Sequence, residues 1–93
     1  MSVNEILDEI ILKCEKYGVK RAVLYGSRAK GTALERSDID IAIYGGKHFD
    51  ELQEEVDEIP TLYKIDLLCV DECGNKLILE DIEKYGRKIY EAI

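Results

Sequence analysis

The sequence predicts an α/β or α+β sandwich with a small mixed β-sheet flanked by helices. Two observations carry that expectation. Apolar stripes at helical spacing alternate with short strand-like runs, giving the order helix, strand, turn, strand, helix, strand, helix, strand. The segment between the second and third strands is also long enough for a helical crossover, which makes those two strands parallel.

Val3, Ile6, Leu7, Ile10, Ile11 and Cys14 share one helical face, and Ser2 with Glu5 can close a capping box. The first helix is expected over 3–17, with Lys13 and Lys16 complementing its dipole and Gly18 ending it in a left-handed cap. Val19 to Tyr25 reads as a strand covered on both faces. It stops at Gly26-Ser27, and Arg28 to Lys30 can form one helical turn before a loop from Gly31 to Ser37. Arg28, Lys30 and Arg36 give this region a locally positive sign in an acidic protein.

Asp38 to Tyr44 alternates strictly: Ile39, Ile41 and Ile43 point one way, while Asp38, Asp40, Ala42 and Tyr44 point the other. Gly45-Gly46 breaks this strand. Phe49, Leu52, Val56 and Ile59 mark a helix over 48–58 with an acidic outer face from Glu51 to Glu58, closed by Pro60. Leu62 to Val70 is the third strand, interrupted by Lys64 and Asp66. A turn cluster at 71–75 leads into a last helix over 77–85, ended by Gly86, and 87–93 can add an edge strand.

The 93 residues suit one domain spanning 1–93. A net charge of -7 argues against non-specific or direct nucleic-acid binding, which draws mainly on Lys and Arg. There is no membrane-length apolar run and no signal-peptide core, so a cytoplasmic location is expected. Cys14, Cys69 and Cys73 are odd in number and lack redox-pair spacing, and with the single His48 they make no convincing zinc set. Free thiols are expected.

The segment from Gly26 to Asp40 carries the chemistry. Asp38 and Asp40 stand two apart on a strand, their backbones roughly 7 Å apart, so both carboxylates leave the same face. That juxtaposition favours a hard divalent ion, Mg2+ above all. Asp66, on the following strand, is the candidate third ligand for a site holding two metals. Gly26 lets a phosphate approach the backbone, Ser27 adds amide and hydroxyl donors, and Arg28 can neutralise phosphate charge. Each feature alone has a plainer explanation: an ordinary turn for Gly26-Ser27, a helix cap or solvated strand end for the aspartates. Asp66 alone could pair with Lys64 or Arg21, and Lys30 and Arg36 could simply be solvated. It is the combined spacing that favours a phosphate and metal site.

Gly26-Ser27, ten intervening residues, Asp38-x-Asp40 and a later Asp66 together resemble the DNA polymerase beta-like nucleotidyltransferase superfamily. The run Gly-Ser-Arg-Ala-Lys-Gly resembles, more narrowly, the minimal nucleotidyltransferase (MNT) family, of the antitoxin type paired with a HEPN toxin. The resemblance implies the nucleotidyltransferase fold. It also implies transfer of a nucleoside monophosphate from a triphosphate such as ATP to a hydroxyl, with release of pyrophosphate. Asp38 and Asp40 would bind two Mg2+ ions, Asp66 would bind the ion at the acceptor and help take its proton, and Gly26 and Ser27, with Arg28, would hold the triphosphate.

Only 27 residues follow Asp66, so the acceptor is expected to be held by a partner. The HEPN pattern of Arg and His a few residues apart is absent around His48, so the resemblance implies the antitoxin side: transfer of AMP to a tyrosine of the toxin, with the two able to join in a hetero-oligomer. The alternatives are an antitoxin that neutralises by binding alone, and nucleotidyl transfer to a small molecule.

Overall fold

The computed structural model describes residues 1–31 and 37–92. The element order is α1 (Val3–Lys16), β1 (Arg21–Tyr25), α2 (Ser27–Lys30), β2 (Ile39–Tyr44), α3 (Phe49–Asp57), β3 (Ile65–Cys69), α4 (Lys76–Tyr85) and β4 (Arg87–Glu91), with a short 3-10 turn at Val70–Glu72. The strands form a mixed sheet in the order β3-β2-β1-β4. β1 runs antiparallel to both β2 and β4, and β3 is parallel to β2 across the α3 crossover. This is the flanked mixed sheet that the sequence predicts.

Local chemistry explains the boundaries. The Ser2 hydroxyl accepts from the Glu5 amide at 3.2 Å while the Glu5 carboxylate accepts from the Ser2 amide at 3.1 Å, closing the capping box. Gly18 adopts φ +68 directly after the helix, as a left-handed cap requires. Asn75 caps α4 by accepting from the Leu77 and Ile78 amides.

Strand alternation sorts the core into two layers. Ala22 and Leu24 of β1, Ile39, Ile41 and Ile43 of β2 and Ile65 of β3 pack against Ile6, Ile10 and Cys14 of α1 and Leu52 and Val56 of α3. Val23 and Ala42 face the other way, against Ile82 of α4, with Tyr25, Tyr44 and Leu68 beside them.

Three expectations need correction. The third strand begins at Ile65 rather than Leu62, because the chain turns after Pro60, where the Thr61 hydroxyl accepts from the Tyr63 amide; Leu62 stands 92% exposed. β3 also stops at Cys69, and Val70 opens the 3-10 turn. Asp38 lies one residue before β2 and is exposed. Gly86 ends α4 as expected, with φ -62, and glycine is needed there because a Cβ would lie 2.2 Å from the Ile82 carbonyl oxygen and 2.6 Å from Val23 Cγ1.

Candidate active site

The α4 face of the sheet ends in polar groups. In the parallel pair, Asp40 and Asp66 are register partners, and in the antiparallel pair Asp40 stands opposite Tyr25. Alternation puts Tyr25, Asp40 and Asp66 on the face that also carries Val23, Ala42 and Leu68, at the edge of that layer. β1 then delivers the chain directly to Gly26.

Gly26 meets Asp40. Its φ of +74 and ψ of -153 lie in a region essentially reserved for glycine, and a Cβ there would come within 2.7 Å of Asp40 Oδ2. The phosphate-turn candidate and the carboxylate candidate therefore share a wall with no room for a side chain. Ser27 opens α2, whose first internal bond runs from the Lys30 amide to the Gly26 carbonyl at 3.2 Å.

The carboxylates feel one another. Burial pushes the Asp40 carboxyl up, and the negative charges of Asp66 and Asp38 push it further, with only Lys64 opposing. The Tyr25 hydroxyl is pushed up to about 12 by burial, then by Asp40 and Asp66, with Cys73 and Asp81 adding to the effect. A part-buried carboxyl that resists ionisation beside two other carboxylates is electrostatically suited to a cation. Among the described residues, no three Asp, Glu, His or Cys side chains converge closely enough to chelate an ion unaided.

The sequence-predicted residues divide into two groups. Gly26, Ser27, Asp38, Asp40 and Asp66 gather at this end of the sheet. Arg28 does something more structural: its Nε and one terminal nitrogen donate to the Ser37 carbonyl at 3.1 and 2.7 Å, and its guanidinium lies 5.0 Å from the centre of the Tyr63 ring. It ties together the two described flanks of the 32–36 segment.

Lys30 is not simply solvated: its ammonium lies 2.7 Å from Asp81 Oδ1. Arg36 lies outside the described residues. Asp66 does approach Lys64, at 3.8 Å between largely exposed groups, whereas Arg21 stacks over Tyr44 at 4.1 Å. An exposed pair at that distance contributes little.

Sequence reasoning missed Tyr25 and Asp81. Tyr25 reads as one more apolar residue of its strand. Asp81 and Tyr85 share a helical face one turn apart, but nothing in the sequence names the lysine that they receive.

A polymerase beta nucleotidyltransferase family model matches residues 8–92. The chain belongs to that family. The resemblance to the DNA polymerase beta-like nucleotidyltransferases drawn from Gly26-Ser27, Asp38, Asp40 and Asp66 is thereby borne out. Two curated proteins of Methanocaldococcus jannaschii, both named as putative protein adenylyltransferases, are similar. MJ0435 is 47% identical over 47 residues, covering 50% of this chain and 50% of its own length. MJ1305 is 46% identical over 44 residues, covering 44% of this chain and 30% of its own length. The matched stretches thus span half or less of those relatives.

Among solved structures, a toxin-antitoxin complex with AMP-PNP superposes with a TM-score of 0.71 at 20% identity, covering 92% of this chain and 73% of that one. A mutant of the MntA-HpeT toxin-antitoxin gives 0.66 at 19% identity, covering 98% and 75%. At such identities the likeness establishes the fold. Among the described residues, no helix is long and apolar enough to cross a membrane.

Proposed function

We propose that this protein is a Mg2+-dependent nucleotidyltransferase that acts as a cytoplasmic antitoxin, moving AMP from ATP to a tyrosine hydroxyl of a HEPN-type ribonuclease toxin. The observation that carries the reading is the meeting of Gly26 with Asp40. A triphosphate laid on the Gly26-Ser27 backbone is brought beside the carboxylates that need a cation.

On this reading residues 1–93 act as one nucleotidyltransferase domain. The Gly26 and Ser27 amides and the Ser27 hydroxyl donate to phosphate oxygens. Arg28 adds positive charge and holds the flanks of the following segment together through the Ser37 carbonyl. Asp38 and Asp40 would hold two Mg2+ ions, with Asp66 on the one nearer the acceptor, and when bound these neutralise charge on the attacking and leaving oxygens.

The acceptor oxygen attacks the α-phosphorus, the bond to the β-phosphate oxygen breaks, and pyrophosphate leaves. Asp66 accepts the hydroxyl proton; with its side chain 45% exposed at the edge strand, it is open to an incoming group. A cavity of about 330 Å³, lined in part by Thr61, Tyr63 and Lys64, opens beside it. The names of the M. jannaschii relatives support a protein acceptor, and the toxin-antitoxin neighbours support a toxin as that acceptor.

The test is incubation with Mg-ATP and the protein encoded next to this one, followed by intact mass measurement. An AMP-sized addition to a tyrosine of that protein, abolished by Asp40→Asn, is expected. Neutralisation of the toxin by Asp40→Asn without any added mass would overturn the catalytic reading and leave an antitoxin that acts by occupancy. Product formed on a small molecule without the partner would overturn the choice of acceptor.

A further inference from the structure

The four-residue helix α2 follows the proposed phosphate-binding turn, and its own hydrogen bonds cannot hold it in place. Helices this short are unstable in isolation, because the first turn fixes several residues for a single hydrogen bond. Gly31 ends it at φ +76, its amide donating to the Ser27 carbonyl. Ala29 packs on the core, and the orientation of Ser27 depends further on what the polar side chains of α2 are fastened to.

On one side, Arg28 fastens it to Ser37 and Tyr63. On the other, Lys30 reaches across to α4. Its ammonium sits 2.7 Å from Asp81 Oδ1 and 5.1 Å from the centre of the Tyr85 ring. Asp81 and Tyr85 are one helical turn apart, so a carboxylate and an aromatic face grip one cation from the same side of α4. The Lys30 and Asp81 side chains are 37% and 26% exposed, more sheltered than Lys64 and Asp66 at 71% and 45%. The Asn75 cap fixes the start of α4 and Ile82 buries its inner face, so the grip is mounted on an anchored element.

We infer that Lys30, Asp81 and Tyr85 form a latch between α2 and α4 that positions Gly26 and Ser27 for the triphosphate. Asp81 and Tyr85 are positioning residues, acting through Lys30. The inference rests on the phosphate reading of Gly26-Ser27. A lysine so near that turn has an obvious competing use, direct contact with the triphosphate, and the two uses predict opposite responses to losing Asp81. Without its partner, a phosphate-contacting lysine is released toward the nucleotide. A latch instead comes undone.

The experiment compares wild type with Asp81→Asn, Lys30→Met, Tyr85→Leu and the Asp81→Asn/Lys30→Met double variant, reading Mg-ATP affinity by equilibrium titration and KM and kcat for transfer. The latch predicts that Asp81→Asn and Lys30→Met each weaken affinity and raise KM about three- to tenfold, with kcat within about twofold. The double variant should be no worse than the worse single, because both remove the same contact. Tyr85→Leu should weaken affinity in the same direction by a smaller factor.

Unchanged or tighter nucleotide binding in Asp81→Asn overturns the latch, as do additive losses in the double variant. Failure of the underlying reading looks different: wild type itself then binds no Mg-ATP and transfers nothing.

Discussion

The two faces of the sheet are built from the same strands and bury different things. Among the described residues, thirteen apolar side chains are buried toward α1 and α3; toward α4 the buried ones are Val23, Ala42 and Ile82, and the layer gives out at Tyr25, Asp40 and Asp66. β2 shows the contrast within one strand: Ile39, Ile41 and Ile43 have no exposed surface, while Asp40 between them carries a carboxyl held above its ordinary range. One face supplies the stability that lets the other keep like charges close together. A site that works against its own electrostatics is sustained by packing on the opposite side of the same backbone.

Substitutions on the two faces should separate stability from activity. The largest stability effect is expected from Ile41→Ala, which opens a cavity in the α1/α3 layer. It should lower unfolding free energy by about 2–5 kcal/mol in a denaturant titration. Its neighbour Asp40→Asn should leave the midpoint unchanged or raised, since it removes a charge that burial and two carboxylates oppose. Equal destabilisation by both would erase the distinction between the faces.

Gly26→Ala comes next. Its backbone angles and the 2.7 Å approach of a Cβ to Asp40 Oδ2 predict a loss of about 1–3 kcal/mol together with loss of nucleotide binding, because the turn must move away from the carboxylate. Calorimetry and nucleotide titration on the same sample check both parts.

The smallest effect is expected on the packed side. Glu55 on α3 receives the Lys16 ammonium at 2.8 Å and the Tyr17 hydroxyl from the end of α1, and these hydrogen bonds hold its carboxyl below the ordinary range. The folded state therefore binds this proton less readily than the unfolded chain. The stabilisation is fully present above the ordinary glutamate range and is lost as pH falls through the lowered value. Glu55→Gln should melt slightly below wild type at neutral pH, and the two curves should converge in acid. A constant gap across pH would assign the contact to packing instead.

Much of this was legible in the sequence for physical reasons. Period-two alternation around Ile39 and Ile41 reports a strand with two different faces, and the Ser2-Glu5 pair reports a helix start because its partners lie three residues apart. The parallel pairing of β2 with β3 follows from the length of the crossover, and it places Asp66 beside Asp40. What was hidden depends on tertiary distance. Lys30 finds Asp81 fifty-one positions away, a contact that no local pattern encodes. Tyr25 gains its importance from burial at the end of its strand and from the carboxylates folded beside it. Gly86 ends its helix as its position suggested, but the reason that only glycine fits, a clash with the Ile82 carbonyl and with Val23 of β1, is tertiary. Leu62 looked like part of a strand by composition, and turn chemistry after Pro60 overrode it.

The most direct test of the account is calorimetric titration of ATP into wild type and Asp40→Asn, with Mg2+ present and with the cation chelated. Wild type should bind only with the divalent ion present, and Asp40→Asn at least about tenfold more weakly at an unchanged or raised melting temperature. Binding that survives both chelation and Asp40→Asn would contradict the claim that the acidic end of the α4 face is a metal-assisted nucleotide site.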